Sequence, residues 1–212
     1  MSKFILGRKI GMTSTIDENS NLVPVTVIKA GPCFISQIKK SEERDGYSAI
    51  QVGFEETKKA SNPIKGHLVN TKKILKNIRE YRIGNEEITD QKVGDQIDVS
   101  VFEKGDKVKI SGNVKAKGFA GAIKRWGFKS HPAGHGHPQE RRVGSIGSGY
   151  PEHVFKGKKM PGRMGPKRKT IIGLEIIDID TKNNLLLVKG SVPGVKGRLG
   201  GRFGKTGVPR PF

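Results

Sequence analysis

The chain has 212 residues and carries 40 Lys and Arg against 20 Asp and Glu, a formal net charge of +20. That length sets one large domain, or one domain with an extension, and so basic a balance points to a polyanionic partner. The lone cysteine, Cys33, excludes an intramolecular disulfide framework and suits a reducing compartment, and no uncharged stretch reaches the ~18 residues of a membrane span.

Residues 1–8 meet charge at Lys3 and Arg8, too soon for a secretory signal, so the protein reads as soluble and cytoplasmic. Residues 23–28 and 33–38 are β-branched runs separated by the turn pair Gly31-Pro32, and Cys33 in the second run reads as a small core residue. Residues 47–54 form a third run after a charged turn ending in Gly46. Between 62 and 82 the composition is helical, with Leu68, Leu75 and Ile78 as the buried positions of a predicted helical insertion. Residues 96–102 alternate apolar and polar, and the turn Glu103-Lys104-Gly105-Asp106 predicts a hairpin with residues 107–112. Short strands at this spacing argue for a barrel or a sandwich.

Residues 112–170 break the pattern. They hold 14 Lys and Arg, only two acids (Glu140 and Glu152), 12 Gly and five Pro. The cations are Lys115, Lys117, Lys124, Arg125, Lys129, Arg141, Arg142, Lys156, Lys158, Lys159, Arg163, Lys167, Arg168 and Lys169. So cationic a segment, poor in large apolar side chains, cannot offset its ordering entropy by internal burial, and it needs an anion to hold its shape. Its one helical stretch is 119–126, short and containing Gly121. Apolar runs resume at 171–177 and 185–188, joined by a turn rich in Asp, Asn and Thr, and predict a second hairpin that completes the earlier sheet. The basic segment is then a finger inserted between strands of a β body made of residues 1–111 and 171–190. Residues 191–212 read as a basic tail, with Arg198 and Arg202 as candidate RNA contacts.

Within the finger, the glycines of Gly144-Ser145-Ile146-Gly147-Ser148-Gly149 permit close backbone approach to something large. The side-chain cations suit phosphates, and Trp126, Phe128 and Tyr150 suit stacking on unpaired bases; for Trp126, packing on protein is an equal alternative. His131, His135 and His137 have the spacing of a three-imidazole metal site. No carboxylate or thiolate stands among them and the surrounding cations oppose a dication, so contact with bases or phosphates fits better, and no metal or cofactor is expected. Gly204-Lys205-Thr206 resembles the end of a phosphate-binding loop, but Leu199 stands where the first glycine is needed, and the tail is expected to supply neither the strand nor the helix of that motif. No residues suggest catalysis. An RNA-binding structural protein, an enzyme acting on RNA and a packaging or chaperone protein all remain compatible with two basic arms.

Several blocks together resemble the ribosomal protein L-three family, the universal third protein of the large subunit, in its bacterial form. They are Leu6-Gly7-Arg8-Lys9-Ile10-Gly11-Met12-Thr13, Ala30-Gly31-Pro32-Cys33, Lys117-Gly118-Phe119-Ala120-Gly121 with Arg125-Trp126-Gly127, Gly144-Ser145-Ile146-Gly147, the stretch 154–165, and 184–190 with Val192-Pro193-Gly194. The resemblance implies a β-barrel body of the kind shared by translation proteins, and a structural, non-catalytic role in the large subunit. It implies binding of large-subunit (23S) rRNA near its 3′ end early in assembly, a finger approaching the peptidyl-transferase centre, and the fourteenth and nineteenth large-subunit proteins as neighbours. Many bacterial members carry a methylated glutamine where this chain has Ser148, so that modification is not expected here.

Overall fold

A computed structural model describes residues 4–17, 20–41, 45–71, 73–83 and 91–205, and of 200–205 the backbone only. The described chain is mainly β and divides into two compact units: Met1–Asn113 with Arg168–Phe212, and Val114–Lys167. The first unit is built on six antiparallel strands whose ladders close on themselves. In spatial order they are β1 (Phe4–Ile16), β12 (Leu199–Lys205), β7 (Lys107–Asn113), β10 (Arg168–Asp180), β11 (Leu185–Lys189) and β2 (Leu22–Ala30), which returns to β1. Closure gives every barrel strand a ladder partner on each side and leaves no open sheet edge.

A second sheet of the same unit has the order β5 (Leu75–Arg82), β4 (Ala49–Glu56), β3 (Cys33–Lys39) and β6 (Gln96–Ile97). Residues 49–54 of β4 are all buried, as expected for a central strand covered on both faces. One face shares its core with the barrel: Ile35, Ile50, Val52 and Phe54 join Ile5, Leu6, Ile28, Ile110, Ile176 and Leu186 in a single cluster. On another patch, Phe34, Leu68 and Leu75 make a small cluster under α1 (Asn62–His67) and the 3-10 turn Val69–Thr71. Gln51, buried in β4, is satisfied by Ser36 Oγ at 2.8 Å and by His67 Nε2 at 2.6 Å.

Four expectations need correction. The helical insertion over 62–82 is one six-residue helix and a 3-10 turn, after which 75–82 is a strand. Leu75 and Ile78 mimic helical spacing, but seven registered pairs with β4, from Glu56↔Leu75 to Ala49↔Arg82, decide the matter. The turn 103–106 does not close a hairpin: Val99–Val101 is 3-10, β6 pairs with β3, and β7 pairs with β10 and β12. Residues 191–212 are not simply a tail, because β12 fills the gap between β1 and β7 and completes the barrel. Gly204 and Lys205 therefore sit in an extended strand, not in a loop that could wrap a phosphate; residues 206–212 and the Arg202 side chain lie outside the described residues. The 171–177 and 185–188 hairpin is present as β10 and β11, and it joins the sheet of the earlier strands through β7 and β2.

The insertion is also narrower than 112–170. Ser111, Gly112 and Asn113 pair with Thr170, Lys169 and Arg168, so the ladder claims both ends before the chain enters the second unit. Gly112 is required there: a Cβ would come within 2.8 Å of the Pro193 carbonyl oxygen.

Candidate nucleic-acid interface

The second unit holds 12 Lys and Arg against Glu140 and Glu152. Its order comes from a short stem. Val114 N–H donates to Lys167 O at 2.9 Å, Lys117 N–H to Met164 O at 2.8 Å, and Met164 N–H to Gly118 O at 2.8 Å. The two-residue strands β8 (Phe119–Ala120) and β9 (Gly162–Arg163) continue it. Helix α2 (Ala122–Trp126) follows, buries Ala122, and ends at Gly127, whose φ of 73° supplies the left-handed C-terminal turn that a side chain would resist.

Arg125 is half-buried and Trp126 is 42% exposed, yet both bond back to this stem. The Arg125 guanidinium donates to Met160 O at 2.7 Å, and the Trp126 indole N–H donates to the same oxygen at 2.9 Å. The guanidinium lies 5.0 Å from the Trp126 ring centre and Lys159 Nζ lies 5.8 Å from it. A Cβ at Gly162 would sit 2.8 Å from the Arg125 guanidinium, so the glycine makes room for that side chain. Both candidates therefore have a role in holding 160–163 against α2, and about 1 kcal/mol for each hydrogen bond is the scale of that role.

The other candidates are turned outward. Lys115, Lys117, Lys124, Lys129, Arg141, Arg142, Lys156, Lys158, Lys159, Arg163 and Lys167 are exposed, as are Arg168, Lys169 and Arg198 in the first unit. Among the described residues every ion pair lies in the first unit, including Arg8–Glu55, Lys39–Glu80 and Lys104–Asp178. The cations of 114–167 have no carboxylate within reach there. His131 and His137 stack face to face at 3.9 Å, while His135, with φ 69°, stands between them in sequence. No three His, Cys, Asp or Glu side chains among the described residues are grouped to hold a metal.

In 144–150 the serines bond within the loop: Ser145 Oγ donates to Gly147 O at 2.7 Å and Ser148 Oγ to Tyr150 O at 2.6 Å. Gly144 needs its glycine for a φ of 79°, but Gly147 does not, and a Cβ at Gly147 would meet no protein atom within 4 Å. Tyr150 is 88% exposed. Two further aromatics are bare, Phe119 at 79% and Phe155 at 64%; the sequence reading passed over both, although large apolar residues in a segment without a core were the available signal.

A closed barrel carrying an exposed and uncompensated cationic insertion places the chain in the class of basic β-barrel proteins with a cationic extension. The ribosomal protein L3 family model matches residues 28–184. A protein from Thermosipho africanus named large ribosomal subunit protein uL3 is 49% identical over 93% of this chain and 95% of its own length. Proteins of the same name from Pseudothermotoga lettingae and Thermotoga maritima are each 50% identical, over 93% of this chain and 94% of theirs. The chain belongs to the ribosomal protein L3 family, a structural and non-enzymatic component of the ribosome.

Proposed function

We propose that this chain is a structural constituent of the large ribosomal subunit that binds rRNA chiefly through residues 114–167. The observation that carries the reading is the unpaired charge: 12 cations and two acids, with no ion pair in this unit among the described residues. Exposed like charges repel at low salt, and a phosphate backbone relieves that repulsion while releasing its own counterions. Tyr150, Phe119 and Phe155 offer faces for unpaired bases, the mode by which proteins meet single-stranded RNA. Gly147 supports close approach, since nothing in the protein forbids a side chain there.

The family resemblance extends the proposal. The rRNA site lies near the 3′ end of the large-subunit rRNA and is filled early, so that binding nucleates assembly. Residues 144–150 reach toward the peptidyl-transferase centre, and the fourteenth and nineteenth large-subunit proteins are neighbours. To test this, a tagged chain is expressed in a bacterial host and its lysate is spun through a high-salt cushion, followed by chemical footprinting of the rRNA. Pelleting with large subunits, with protections near the rRNA 3′ end, is the expected result. A chain that stays in the supernatant, or that is retained equally by duplex DNA, contradicts the proposal.

A further inference from the structure

We propose that a cavity of about 410 Å3 in the barrel unit binds the phosphate group of a nucleotide, with Arg79, Arg168 and Arg198 as its ligands. The RNA source of that nucleotide rests on the function proposed above; the phosphate chemistry rests on the cavity alone. Strand β5 presents Asn77 and Arg79 two residues apart, hence on one face. The β7–β10 ladder places Arg168 directly opposite Asn113. Arg198 lies in the turn before β12, which is fixed by Gly197 N–H to Lys9 O at 2.8 Å and by the Arg8 guanidinium to Gly197 O at 2.6 Å.

Three arginines thus line one concavity that has no acid in its wall among the described residues. The nearby carboxylate, Glu55, is already engaged: it accepts from Arg8 Nε at 2.7 Å and Nη2 at 2.6 Å, and from the Asn77 amide at 3.1 Å. Among the described residues the Arg79 side chain makes one hydrogen bond, to the Ile78 carbonyl at 2.8 Å, and none of the three arginines is in an ion pair. Arginine forks match phosphate oxygens two at a time, which is why such a set selects phosphate over a simple anion. The volume falls within the range of small-molecule sites and exceeds the need of a single ion, and Leu199 adds an apolar wall for a sugar or base. An RNA backbone supplies that group, and so does a free nucleotide.

Two arms separate these sources. Arg79, Arg168 and Arg198 are exposed, so glutamine is compatible with folding, which circular dichroism verifies. In the first arm the full chain is titrated with deproteinised large-subunit rRNA over a range of KCl. For the Arg79→Gln, Arg198→Gln double variant the log–log slope becomes shallower by about 1.4 to 1.8 units, whereas Lys76→Gln, on the opposite face of β5, changes it by less than one unit. In the second arm, adenosine monophosphate is added at fixed ionic strength and the melting temperature is read. A shallower slope in the double variant alone supports the site with RNA as its ligand. An unchanged slope with nucleotide stabilisation of the native chain, lost in the double variant and reduced in Arg79→Lys, supports the phosphate site and refutes the RNA source. An unchanged slope with no stabilisation overturns the proposal, yet leaves the reading of 114–167 intact so long as the native chain binds rRNA. If the native chain fails to bind rRNA, that reading fails, and the nucleotide arm alone decides the cavity.

Discussion

Two glycines show how differently the same residue type is used. At Gly53, in central strand β4, a Cβ would collide with the Leu75 side chain, so Gly53→Ala overpacks the sheet and should cost about 1–3 kcal/mol, read as a lower denaturant midpoint. At Gly147 a side chain meets no protein atom within 4 Å and the backbone is not left-handed, so Gly147→Val should leave the midpoint within about 0.5 kcal/mol of the native chain. The same substitution should weaken rRNA binding and, in assembled ribosomes, alter sensitivity to drugs that bind the peptidyl-transferase centre. A Gly147→Val protein with normal affinity and unchanged drug response would place 144–150 away from RNA. Next to it, Ser148 offers a hydroxyl already donated to Tyr150 O and no amide, so intact-mass analysis of this peptide should show no methylated side chain.

Among the elements, the second sheet is tied by one ion pair whose pH behaviour is predictable. Lys39 Nζ lies 2.9 Å from Glu80 Oε1, and the Tyr47 hydroxyl donates to Glu80 Oε2 at 2.9 Å. The hydrogen bond from Lys39, with that of Tyr47 in support, holds the Glu80 carboxyl below its ordinary value against a smaller opposing effect of burial. Its contribution to stability is therefore complete above the unfolded carboxylate value and is lost as pH falls through the folded one. The same pair raises Lys39, so the contribution also fades at strongly alkaline pH, above the ordinary lysine range. Glu80→Gln should flatten the acid limb of a urea-midpoint-against-pH profile; an unaltered acid limb would assign it to other carboxylates such as Asp178, lowered mainly by its hydrogen bond from Lys104.

Strands with a strong local pattern were legible: β2, β3, β4, β7, β10 and β11 all fall on apolar or β-branched runs. β5 and β12 were not. Five of the eight residues of β5 are Lys, Arg, Glu or Asn, and its apolar spacing suits a helix, while the LGGRFGK of β12 has no β-branched residue. Each is a strand because of partners far away in sequence, β12 being extended between β1 and β7 by the demand for closure. The interface followed the same rule. One-sign charge density is a local property and located the cations, whereas Met160 O, which engages Arg125 and Trp126 from 34 to 35 residues away, left no trace in their own neighbourhood. Asn113 and Arg168 are ladder partners, so joining them through a two-residue Asn-Gly turn in place of 114–167 should give a barrel that still melts cooperatively. Loss of the cooperative transition would mean that the second unit is needed to fold the first.

At the scale of the molecule, the two units differ in where the core and the charge lie. The first holds the shared apolar core and every ion pair among the described residues; the second holds a net charge of +10 and a stem with little apolar burial. We propose that rRNA phosphates neutralise this second set. The measurement that bears on it most directly is the salt dependence of affinity for deproteinised large-subunit rRNA, compared between the full chain and the chain with 114–167 replaced by Asn-Gly. If about ten cations each meet a phosphate, the full chain should give a log–log slope of roughly −7 to −9, and the shortened chain a slope no steeper than about −3. A shortened chain that keeps the full slope would contradict the account and move RNA binding to the barrel.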